Sequence, residues 1–246
     1  MRGAALTVGL RFLGGALLAA GLLVSRADAD AATSATEDWP KVNQSLLDKF
    51  LFSSSEATEQ RLRRWEGPMV LDFYYAKGKD VVKQFVKEIN GHQIMGRNQV
   101  YMLPPASMGS SADPFNFALG VSQDFFDLAL QPRPELGTAA YQSHAKQTGC
   151  YAHQAEGGSG IITSGRIITR KDLTKDQMRD CLLRGLLITA GLGHTQDLAY
   201  RSQPLSKEEQ SDAFKVLKLL YHPSVRAGMT RAEFSQALRS EGLIVD

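Results

Sequence analysis

Cysteine is scarce: Cys150 and Cys181 are the only two in 246 residues. Two thiolates cannot close a structural zinc site, and no His stands at finger spacing to complete one. An excess of charge of either sign is also lacking, since 28 Lys and Arg face 26 Asp and Glu. That balance gives no basic stripe for nucleic acid. The apolar run Phe12 to Val24 has only thirteen residues, and a membrane span needs about twenty. No P-loop or dinucleotide fingerprint occurs. Internal repeats and low-complexity tracts are absent as well.

What is present at the start has the three-part plan of a secretion signal. Met1, Arg2 and Arg11 are positive, the apolar run follows, and Ala27-Asp28-Ala29 puts small residues at both specificity positions. Cleavage is expected after Ala29, leaving residues 30–40 as a flexible lead-in and 41–246 as a single globular domain. No Cys lies near the cleavage point, which argues against a lipid anchor. Cleavage removes three of the basic residues and one of the acidic ones, so the mature chain is near neutral. An exported chain with an even cysteine count suggests one disulfide, with two buried free thiols as the alternative.

Periodicity places the elements. Leu46, Leu47, Phe50 and Leu51 share a helical face. Ser53 and Glu56 form a capping box for a second helix carrying Leu62 and Trp65, with Arg61, Arg63 and Arg64 in its last turn. Strands are expected at 69–76, 99–103 and 115–121, and an amphipathic helix over 81–89. A short helix follows through Phe125, Phe126 and Leu128, then a linker at 131–134 and a weak helix over 135–148. Residues 157–170 predict a hairpin turning at Ser164-Gly165. The strongest element runs from Thr174 to Ala190, apolar almost all round and so buried centrally. Gly191 and Gly193 end it. Capping boxes at Ser206 and Thr230 open two further helices. The fold class is α+β, with a small sheet, a central buried helix and a C-terminal helical part.

The segment GLLITAGLGH (185–194) resembles the end of the zinc-peptidase pattern H-E-x-x-H-x-x-G-x-x-H. In that pattern imidazoles at i and i+4 grip the metal and the Glu between them is the base. With Gly191 as the turn glycine and His194 as third ligand, the other positions hold Arg184, Gly185 and Ile188. The same region is similar to a bacterial exported family, domain of unknown function 2927, itself similar to zinc peptidases. That family's Cys-x-x-Glu-Glu-x-x-Gln-x-x-Gly-Leu-x-Asn-Asp is matched by Cys181, Gly191 and Leu192. Arg184, Gly185, Ile188, His194 and Thr195 depart from it. RRWEGPMVLDF (63–73) resembles the family's opening strand and LYHPSVRAGMTRAEF (220–234) its closing segment. The resemblance implies a zincin-like fold, export and a Cys150–Cys181 pairing; it implies no activity.

Other catalytic patterns fail. His153 to Gly157 begins like H-x-x-E-H but has Gly at the second His position, and Ile161 spoils a G-x-S-x-G elbow. No catalytic residue, metal ligand set or cofactor is therefore assigned. The candidate site is a vestigial cleft lined by Arg184, Ile188 and His194. There the Arg184 cation could hold a carboxylate by two-pronged hydrogen bonds, or else snorkel to solvent or pair with an internal carboxylate. The leading expectation is a non-catalytic binding or accessory protein, periplasmic or secreted, partnered by a protein or peptide of the cell envelope. One alternative is a hydrolase in which His194 meets His144 or His153 and a carboxylate. Another is an inhibitor or chaperone-like module that pairs a sheet edge with a peptide.

Overall fold

The computed structural model describes residues 38–52, 60–73, 78–96, 98–102, 117–121, 139–193, 195 and 197–245. The chain divides into two compact units, Met1–Asp38 and Trp39–Asp246. Of the first, Asp38 alone is described, so the expected leader and most of the lead-in lie outside the described residues. So do the expected loop at 104–114, the short helix after 122 and the linker at 131–134.

The second unit is α+β. In chain order it has α1 (Gln44–Leu51), β1 (Met69–Phe73), α2 (Lys79–Gly91), β2 (Val100–Met102), β3 (Phe117–Val121) and α3 (Ala139–Thr148). Then come β4 (Cys150–Gly157), β5 (Ile161–Thr169), α4 (Lys175–Thr189), α5 (Lys207–Leu220) and α6 (Arg231–Ser240). The strands form one sheet in the order β2-β1-β3-β5-β4. Four run parallel, and β4 lies antiparallel at the edge beside β5. Parallel neighbours need crossovers, and α2 supplies the one between β1 and β2 with Val81, Val82, Phe85 and Ile89 buried.

The central helix α4 starts at a capping box. Thr174 accepts from the Gln177 backbone while the Gln177 side chain returns to the Thr174 backbone, satisfying two orphan donors at once. Its buried positions include Met178, Cys181, Leu182 and every residue from Arg184 to Thr189. At Gly185 a Cβ would stand 2.8 Å from the Ile167 side chain, so the missing side chain lets the helix settle on β5. The far end is closed by aromatic donors: Trp65 Nε1 donates to the Thr189 carbonyl and the Tyr221 hydroxyl to that of Ala190, each at 2.8 Å. Gly191 then turns the chain with φ +123, and a Cβ there would lie 2.6 Å from the Arg63 carbonyl oxygen. Geometry and space both require glycine. Cys150 and Cys181 form a disulfide that ties the start of β4 to α4 across 31 residues of chain.

Two sequence expectations are corrected. Leu62 and Trp65 are buried, but residues 60–68 are not helical; the expected start at 53–59 lies outside the described residues. Arg61 bridges to Thr230 and Arg64 to Ile161. The backbone bonds a helix would use inside itself go instead to distant segments. The cations expected to complement a helix end also serve elsewhere: Arg64 Nη1 donates to the carbonyls of Leu220 and Val225, both at 2.9 Å. The second correction is the hairpin. It spans β4 and β5 and turns at Gly158–Gly160, where Ser159 and Gly160 have positive φ. Ser164-Gly165 sits inside β5, opposite Ala155 and Gln154, next to a register shift at Ala155/Glu156. Three glycines around Ser159 make the tighter turn. His222 is buried, its ring centroid 4.5 Å from that of Trp39.

Candidate functional site

The site builds from α4 outward. Arg184 occupies an apolar helix, where an unpaired guanidinium would be expensive. It is 6 % exposed and fully engaged. Its Nε and Nη2 meet Asp180 Oδ2 at 2.8 and 2.7 Å, an i,i+4 pair on one helical face. Its Nη1 donates to the carbonyls of Leu198 and Arg201, each at 3.2 Å. The other Asp180 oxygen accepts from the Leu205 backbone at 3.2 Å. One ion pair thereby fastens the returning segment 198–205 to the helix.

The fastening continues outward. Arg201 Nη1 lies 2.6 Å from Glu209 Oε1, and Lys49 Nζ lies 3.4 Å from the same oxygen. The Arg201 hydrogen bond, aided by the Ser206 backbone, holds the Glu209 carboxyl down to about 2.

Helix α3 lies beside this cluster and along the edge strand. His144 bonds the Arg201 carbonyl with one ring nitrogen. Its Nε2 is buried without a hydrogen-bond partner among the described residues. Burial first, and the Arg184 charge second, lower its affinity for a proton below the ordinary 6.5. Its ring packs against Tyr200 at 5.8 Å, as Tyr141 does at 5.6 Å. The Tyr141 hydroxyl accepts from the Ala152 N–H at 2.9 Å and donates to the Ala152 carbonyl at 2.8 Å. Burial keeps that phenol neutral far above physiological pH.

On β4 itself, His153 stacks on Tyr151 at 6.3 Å and faces Arg166 across the ladder. Burial, then Arg166 and Arg63, lower its proton affinity. Burial also pushes the Tyr151 hydroxyl up to about 12.

Of the three residues expected to line a vestigial cleft, Arg184 is pinned in the ion pair. Ile188 is 2 % exposed within the core, one turn further along α4. His194 lies outside the described residues. Neither a guanidinium nor a sec-butyl group can ligate zinc, so the donors at these two helix positions do not fit the metal that the zinc-peptidase pattern holds. Among the described residues no group of three or more His, Cys, Asp or Glu converges to hold a metal ion. His144 and His153 make different contacts, the first with Tyr200 and the second with Tyr151. Asp180 was legible by its spacing of four from Arg184. Tyr141 carried no signal in sequence, because its partner is a backbone pair.

These features define a disulfide-braced α+β domain whose central helix carries an internal ion pair. The chain belongs to the family described as protein of unknown function (DUF2927), whose model matches residues 44–240. No curated protein and no solved structure matches the chain. Among the described residues no helix is long and apolar enough to cross a membrane.

Proposed function

We propose that this is a zincin-like but non-catalytic binding or accessory protein of the cell envelope, exported by a cleaved leader, that holds a peptide without cutting it. The observation that carries the reading is the fate of Arg184. In a zinc peptidase the metal clamps the helix to the chain that returns past it. Here the guanidinium performs that clamping, through Asp180 on the helix and the carbonyls of Leu198 and Arg201 on the returning segment. A carboxylate ligand at Arg184 would have to displace Asp180 at 2.7 Å. A peptide main chain laid along the sheet leaves that ion pair intact, which favours the peptide form of the reading. The Cys150–Cys181 disulfide suits an oxidising compartment.

The test is metal content and peptidase activity of protein recovered from the periplasm. The expected result is zinc well below one ion per chain, no cleavage of a mixed peptide library, and an N-terminus beginning at Asp30. A stoichiometric divalent ion, or chelator-sensitive cleavage, overturns the non-catalytic reading; an intact N-terminus on cytoplasmic protein overturns export.

A further inference from the structure

We propose that the face of the β4–β5 hairpin turned away from α4 carries a carboxylate-binding site, with the Arg166 guanidinium as its fork and the His153 imidazole as a second donor. The site goes beyond the non-catalytic reading, since it neither needs nor excludes a metal.

Strand parity sets the face. Successive side chains point to opposite faces of a sheet. Cys150 reaches α4 through its disulfide, and Ile167 lies against Gly185 of the same helix. Tyr151 and His153 on β4 and Arg166 on β5 have the opposite parity, so they point away from α4. His153 and Arg166 are register partners, which puts their Cβ atoms about 5 Å apart. The Tyr151 and His153 rings stack with 19° between their planes.

Arg166 is the uncommitted cation of this face. Other arginines have carboxylate partners: Arg184 has Asp180, Arg201 has Glu209, Arg170 has Asp172, Arg179 has Asp80 and Arg231 has Asp48. Arg166 is exposed and has no ion-pair or hydrogen-bond partner among the described residues. The next acid along β4, Glu156, pairs with Arg63 at 2.7 Å and stands opposite Ile162. From residue 162 to residue 166 is about 13 Å of strand. Like charges opposite each other across a ladder repel, and Arg166 and Arg63 both act, after burial, to lower the proton affinity of His153. Tyr151 is 1 % exposed, and its hydroxyl has no hydrogen-bond partner among the described residues. This face therefore holds cations and a donor with too few acceptors, and a bound anion corrects that imbalance.

Geometry selects the anion. A guanidinium offers two parallel N–H groups that match a planar carboxylate, and a protonated imidazole across the ladder adds another donor. Arg184, the arginine that the sequence offered for this task, already holds Asp180. Binding should draw a proton onto His153, because an adjacent anion favours the imidazolium. Among the described residues the charged and titratable groups around His153 are Arg166 on β5, Arg63 ahead of β1, and Tyr151 and the Arg63-paired Glu156 on β4.

The test is a nuclear magnetic resonance titration of the His153 ring in the full, disulfide-bonded chain labelled at histidine. The probes are succinate, N-acetyl-trialanine with a free C-terminus, the amide of that peptide, and inorganic phosphate, all at one ionic strength. Succinate or the free-acid peptide should shift the ring signals saturably and raise the His153 midpoint by about one unit; the amide should do neither. The tighter of those two carboxylates names the source, a small dicarboxylate or a peptide terminus. Affinity should fall as pH rises through the histidine range. Arg166→Gln should weaken binding about tenfold, as loss of a charge-assisted bond does. Arg226→Gln, at an exposed arginine outside the hairpin, should leave it unchanged. No saturable shift with either carboxylate, an equal response to the amide, tighter binding of phosphate, or equal losses in the two variants overturns the site. Metal content and peptide cleavage judge the non-catalytic reading separately, and neither result bears on this titration.

Discussion

Arg184→Ala should be among the most damaging substitutions in α4. The side chains of the Arg184–Asp180 pair are 8 % and 11 % exposed. Truncation deletes two charge-assisted bonds to Asp180 and two bonds to the carbonyls of residues 198 and 201. It leaves Asp180 buried with only the Leu205 N–H for company. Breaking a buried pair on one side costs about 3–5 kcal/mol, mostly for the charge left behind. At about 2–4 °C per kcal/mol for a chain of this size, the midpoint of thermal unfolding should fall by roughly 6–20 °C. Circular dichroism during heating, with urea titration as a second probe, measures this. The double variant Asp180→Asn with Arg184→Met removes both charges and keeps the volume. It should be more stable than Arg184→Ala, as expected when both partners of a buried pair are replaced together. A loss under about 1 kcal/mol for Arg184→Ala would be the behaviour of an exposed pair. That result would refute the idea that this ion pair clamps the helix to segment 198–205.

Three other outcomes are expected. Replacing both cysteines by Ala should lower stability by about 4 kcal/mol in the chain-entropy model for a loop of this length, seen as a shift in urea midpoint. Gly160→Ala should cost more than about 2 kcal/mol, since its φ is +78 and a Cβ would lie 2.3 Å from the Leu62 carbonyl oxygen. Gly158→Ala, with nothing within 4 Å, should be near neutral; equal effects would contradict the turn at 158–160. Glu209 has its carboxyl lowered from 4.5 to about 2. The unfolded chain therefore takes up that proton first, and the stabilisation is complete above about 4.5 and lost as pH falls toward 2. Glu209→Gln should flatten the acid limb of a stability–pH curve, and an unchanged limb would refute the assignment.

Much of the architecture was legible because its signals are local. Capping boxes at Ser206 and Thr230, and the spacing of Val81, Val82, Phe85 and Ile89, mark helices through contacts within one or two turns. The helix expected to carry Leu62 and Trp65 was misjudged, because the backbone at 61–64 is claimed by partners at 161 and 230. The hairpin failed differently. The turn falls at Gly158–Gly160, and Ile167 of β5 then lies against Gly185 on the central helix, a contact remote in sequence from the turn.

The candidate site divides along the same line. Composition and spacing by themselves determined that α4 is buried, that it lacks zinc-ligating side chains at 184 and 188, and that Arg184 must either reach solvent or find a partner. These follow from the periodicity of one helix and the chemistry of its side chains. Only the tertiary structure decided that Arg184 also holds two carbonyls beyond Gly191, and that the Tyr141 hydroxyl bonds both backbone groups of Ala152. Each of those is a contact with backbone, and backbone groups are the same in every residue, so no choice of side chain announces which of them will be met.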